Sequence, residues 1–96
     1  MTLAKKTTNP ANRRLVRKYG ITLDDYDQML KAQGGGCAIC GRKPTNRRLD
    51  VDHSHKSKNV RGLLCHKCNR GLPWFNDNPD VLRSAVRYLE GPLGRR

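Results

Sequence analysis

Carboxylates and aromatic rings are scarce in this chain. Against 20 Lys and Arg there are 8 Asp and Glu, a formal net charge of +12, and none of the eight precedes Asp24. Aromatic residues make up 5% and hydrophobic residues 35%. Ninety-six residues of that composition support one small core and no second one. No apolar run approaches the ~18 residues of a membrane span. Met1–Lys18 is polar and basic and lacks the apolar stretch of a secretion signal, so a reducing cytoplasm is the expected setting. Repeats and long low-complexity tracts are also missing. A domain with so thin a core needs a staple.

The staple lies between Cys37 and Asn69. All four cysteines fall there, as Cys37-x-x-Cys40 and Cys65-x-x-Cys68, together with all three histidines. Two thiolate pairs at that spacing complete a tetrahedral zinc site, a reading favoured over two disulfides or a redox pair. The pairs are separated by 24 residues, slightly more than the roughly 15–20 of the commonest pattern. The insert carries Asp52, His53 and His55, and Asn69 follows the last cysteine. The positive charge points to a polyanionic partner, nucleic acid before mere solubility.

Taken in order, residues 1–18 form a basic arm. Asn9-Pro10 is a cap followed by proline at the first helical position, and the helix runs to Tyr19 and stops at Gly20. Lys5, Lys6, Arg13, Arg14, Arg17 and Lys18 on this arm, with Arg61 further on, are the candidate DNA contacts; a solvated helix is the plainer alternative. Thr22 to Asp25 resembles a capping box, so Asp24, Asp25 and Asp27 serve the helix N-terminus before any metal. Tyr26, Met29, Leu30 and Gln33 share one face of that helix, and Gly34-Gly35-Gly36 ends it. After a basic turn from Arg42 to Arg48, Leu49 and Val51 alternate with Asp50 and Asp52, the mark of a half-buried strand. Val60–Leu64 is its partner, with Gly62 allowing close backbone approach. Asn69 is expected to open a short helix that Pro73 limits. Asn78-Pro79 starts an amphipathic helix through Val81, Leu82, Ala85, Val86 and Leu89 to Gly91-Pro92, and Trp74 and Phe75 are expected to bridge it to the cysteine module. His66 reads as a bystander. The result is a small α+β domain over 19–91, ordered helix, helix, knuckle, strand, strand, knuckle, helix, helix, with a basic tail at 92–96.

Phosphodiester hydrolysis needs a water that loses a proton, a stabilised pentavalent phosphate and a shielded leaving oxygen. Histidine suits the first task. A hard divalent ion held by Asp and Asn oxygens serves the others. Asp52 and His53 adjoin at a strand end, where successive side chains diverge, so one can face a metal and the other a water. Asn69 is fixed by its neighbour Cys68. Zinc, with four thiolates, has no open position for catalysis.

Cys-x-x-Cys, then Asp-His-x-His, then Arg-Gly-Leu-Leu-Cys-x-x-Cys-Asn resembles the recombination endonuclease VII family, a branch of the His-Asn-His nucleases. The resemblance runs from about Tyr19 to Leu89. It implies a zinc-clamped ββα-metal (His-Me finger) fold flanked by helices, and a DNA endonuclease. His53 would be the general base, Asp52 and Asn69 ligands of Mg2+ or Mn2+, His55 a contact to the scissile phosphate, and Cys37, Cys40, Cys65 and Cys68 ligands of structural zinc. It also implies a phage protein at work in bacterial cytoplasm, as a homodimer or within a larger DNA-processing complex. The rival reading is a zinc ribbon that binds nucleic acid without cutting it; Asn69 and the Asp52–His53 pair speak against it, because binding alone needs neither.

Overall fold

The computed structural model describes residues 9–92. Lys5, Lys6 and the tail beyond Pro92 lie outside the described residues. Helix α1 spans Pro10–Tyr19. The Asn9 side chain caps it by accepting the Ala11 and Asn12 N–H groups, and Gly20 ends it at φ 75° with its N–H on the Val16 carbonyl. Helix α2, Leu23–Ala32, opens on the expected capping box: Asp25 N–H donates to Thr22 Oγ1 at 3.0 Å, and Thr22 N–H to Asp25 Oδ2 at 2.9 Å.

Strands β1, Asp50–His53, and β2, Val60–Leu64, form an antiparallel pair. Their register runs Asp50↔Leu64, Val51↔Leu63 and Asp52↔Gly62, then jumps to His53↔Val60. Arg61 is therefore the extra residue of a bulge, a device that bends a strand and re-aims side chains. The outer edge of β2 is occupied at Leu63, whose carbonyl accepts the Ala38 N–H at 3.1 Å and also meets a side chain. Gln33 takes the Leu63 N–H on Oε1 at 2.9 Å and donates Nε2 to the Leu63 and Gly36 carbonyls. A Cβ on Gly62 would come within 3.2 Å of that Oε1, which accounts for glycine there.

Helix α3 spans His66–Trp74 and helix α4 Pro79–Glu90. The start of α3 corrects the sequence expectation. Cys65, not Asn69, is the cap, its sulfur accepting the Cys68 N–H, so Asn69 lies one turn inside the helix. Pro73 sits within the last turn, and the helix ends one residue beyond it at Trp74. The core is small: Tyr26, Leu49, Val51, Leu63 and Leu64 with Cys37 and Cys65, flanked by Leu15, Tyr19, Ile21, Met29, Leu30 and Leu72. Tyr26 donates its buried hydroxyl to the Leu49 carbonyl at 2.9 Å. A second correction concerns α4. Trp74 is 80% exposed and Phe75 41%, so neither bridges it to the cysteine module, and Val81, Val86, Tyr88 and Leu89 face solvent. Leu82 and Ala85 alone of its apolar row are half-buried.

Candidate active site and metal centre

Two tight turns bring the cysteines together. In the first, Gly41 N–H bonds the Cys37 carbonyl and Cys37 N–H the Arg42 carbonyl. Gly36 must lack a side chain, since a Cβ would stand 2.3 Å from the Gly41 oxygen. In the second, the first turn of α3 wraps Cys65. The four sulfurs lie within 4.8 Å of one another, and Cys40 and Cys65 are 3.7 Å apart. Tetrahedral Zn–S geometry calls for ligand sulfurs about 3.8 Å apart. The four thiols could hold a metal ion such as zinc. Their acidities diverge as expected of crowded thiols. Burial works against Cys37, yet N–H groups aimed at it, Cys40 first among them, hold it at about 6. Burial and the neighbouring thiols push Cys68 up to about 12. Four thiolates this close need a cation at their centre to ionise together.

A cleft of about 230 Å³ is lined by Asp52, His53, His55, Arg61, Asn69 and Asp77, with Tyr19 among its walls. Asp52 and His53 both line this cleft, and the ladder is interrupted opposite them, where Arg61 is the extra residue on β2. The His53 ring lies 5.8 Å from that of Tyr19 and 5.7 Å from that of His55, so α1 contributes a wall to the site. His55 is largely exposed, its Nε2 3.9 Å from Asp77 Oδ2.

Asp52 is not free. Arg61 donates Nε to its Oδ2 at 2.8 Å and Nη2 to its Oδ1 at 3.1 Å, a bidentate fork. The bond to Asp52 raises the guanidinium's pKa further. The candidate DNA contact Arg61 is thus engaged with the candidate metal ligand. Asn69 donates Nδ2 to Asp50 Oδ2 at 3.3 Å, which leaves its carbonyl oxygen for another partner. Asp50 also takes Arg47, and its Oδ2 stands 3.5 Å from His66 Nδ1. The donor set of Asp52 and Asn69 oxygens suits a hard divalent ion, on condition that Arg61 gives way.

Two residues escaped sequence reading. Asp50 carried a signal, since it shares a strand face with Asp52 two residues on. Asp77 carried none: it enters through the turn between α3 and α4. Of the other candidate DNA contacts, Arg13, Arg14, Arg17 and Lys18 are exposed along α1. A separate groove of about 580 Å³ between the Arg42–Arg48 turn and α3 is lined by Arg42, Lys43, Arg47, Arg48, Lys67 and Arg70, with no carboxylate in its lining.

Comparison with known proteins agrees with these features. The chain is 46% identical over 81 residues to the Gene 59 protein of Mycobacterium phage L5, covering 82% of this chain and 49% of that protein. It is 42% identical over 91 residues to the Gene 59 protein of Mycobacterium phage D29, covering 93% and 55% respectively. The chain therefore spans about half the length of these relatives. No solved structure matches it. The family model for recombination endonuclease VII matches residues 12–91, from α1 through both cysteine turns and the cleft to the end of α4, and the chain belongs to that family.

Proposed function

We propose that this domain is a metal-dependent DNA endonuclease of the ββα-metal type. Its carrying observation is that Asp52, His53, His55 and Asn69 border one cleft braced by a four-cysteine cluster, in a chain of a nuclease family. Zinc on Cys37, Cys40, Cys65 and Cys68 anchors both ends of the β1–β2 unit. His53 takes the proton of the attacking water. His55, exposed at the mouth of the cleft, meets the scissile phosphate. Asp52 and the Asn69 carbonyl hold a Mg2+ or Mn2+ ion, which when bound neutralises phosphate charge and shields the leaving oxygen. The basic surfaces supply DNA affinity, and the setting is the cytoplasm of a bacterial host. Homodimers, larger phage assemblies and branched substrates belong to the same proposal.

One observation favours the rival, a binding module without chemistry: Arg61 occupies both oxygens of Asp52. Incubation with linear, nicked, supercoiled and four-way-junction DNA, with and without magnesium, separates the two. Magnesium-dependent cleavage is expected, and His53→Ala should lose on the order of 10²-fold or more of it while still binding DNA. Normal cutting by His53→Ala would remove His53 from the mechanism; binding without any cutting by the wild type would leave the module.

A further inference from the structure

We propose that Asp77 is a positioning residue, the landing site to which Arg61 moves when a divalent cation takes Asp52. The inference rests on reading Asp52 as a metal ligand and adds what that reading lacks, a place for the displaced guanidinium. The arginine fork takes one lone pair of each Asp52 oxygen and sets a full positive charge where a divalent ion would approach. Arg61 must leave, and its charge needs a partner in a cleft half shielded from water.

Asp77 meets the requirement. Its Oδ2 already lies 3.4 Å from Arg61 Nη2, the nitrogen that Asp52 Oδ1 also uses. Its Oδ1 is buried and has no hydrogen-bond partner among the described residues, an acceptor held without a donor. A short movement of the guanidinium would satisfy it. The backbone keeps the carboxylate in place for this. Asn76 and Asp77 adopt left-handed φ values of 59° and 52°, tolerated by Asn and Asp better than by most side chains. Their N–H groups bond the Pro73 and Leu72 carbonyls at 2.8 and 2.9 Å. The turn is thereby fixed to the end of α3, the helix that carries Asn69. Arg61 itself stands at the bulge, where the ladder is interrupted. One arginine between two carboxylates keeps Asp52 neutralised until the ion arrives, then returns the vacated charge to Asp77.

The test is a double-mutant cycle read by Mn2+ affinity, measured by calorimetry on zinc-loaded protein without DNA. Asp77→Asn should weaken Mn2+ binding about ten-fold, because Arg61 then has only Asp52 to hold. Arg61→Gln should tighten it. On the Arg61→Gln background, Asp77→Asn should change nothing. An equal loss on both backgrounds overturns the proposal, since it would mean that Asp77 acts by charge alone. A wild type that holds zinc but binds no Mn2+ overturns the catalytic-metal reading as well, a result distinct from an additive cycle. A second measurement needs no substitution: the Arg61 Nε–H resonance of the wild type should shift as Mg2+ saturates the site. Saturation with no shift also overturns the proposal.

Discussion

Asn12 sits among Arg13, Arg14, Arg17 and Lys18 on a helix of cations, yet it is 2% exposed and its Oδ1 accepts the Leu23 N–H at 2.7 Å. That bond joins the first turn of α1 to the first turn of α2. Asn12→Ala leaves the part-buried Leu23 N–H without its partner, and a loss of about 1 kcal/mol is expected in urea unfolding of the zinc-loaded protein. A change no larger than that of a surface Asn→Ala substitution would show that water replaces the bond. Asn12 was illegible in the sequence for a physical reason: an asparagine in a basic helix reads as surface, and its partner is 11 residues away. Asp77 was hidden in the same way. The cysteine cluster and the meeting of Asp52, His53 and Asn69 at one cleft were legible because these groups stand at short, fixed spacings in the chain.

At the scale of elements, the core around β1 and β2 has few fully buried side chains, so the proposed zinc clamp should carry much of the stability. Chelation at neutral pH should therefore collapse the far-UV circular dichroism of the domain, and Cys65→Ser should prevent zinc uptake; a chelated chain that keeps its native spectrum would refute the clamp. Acid should act in the same direction. A thiolate whose pKa is lowered in the fold stabilises at high pH and loses that contribution as pH falls through the folded value. The metal-free Cys37 thiol is lowered in this way, and protons compete with zinc for all four sulfurs, so zinc release, followed with a chromogenic chelator, should grow as pH falls. Helix boundaries set by side-chain caps were legible: Asn9, Thr22 and Asn78 cap as their residue types predict. The start of α3 was not, because a cysteine sulfur takes the capping role that an oxygen usually fills. The bulge at Arg61 was also hidden, since Val60–Leu64 carries no regular alternation whose break would mark it.

As a whole the molecule is extended. Its radius of gyration is 16.4 Å, against about 12 Å for a compact chain of this length. Charge is spread over two surfaces, α1 and the groove beside α3. Replacing Arg14, Arg17 and Lys18 by Gln should lower the log–log salt slope of duplex DNA binding by about 0.9 for each phosphate no longer neutralised, and turnover at saturating DNA should hold. Unchanged slopes would make α1 a solvated helix. Replacing the basic triad is a better probe than removing the arm, because Asn12, Leu15 and Tyr19 tie α1 to the rest of the domain. The α+β class and the order of elements were legible from cap signals and period-two alternation. The exposure of Trp74 and of most of the apolar row on α4 was not, because amphipathic spacing gives a face but not what covers it. The Gln33 amide bears on how separate molecules meet. A two-stranded ribbon offers unpaired peptide groups along both margins, and such margins recruit strands from other chains into aggregates. By binding both the N–H and the C=O of Leu63, one side chain imitates a third strand a single residue long, and it denies neighbouring molecules the segment of β2 that leads into Cys65.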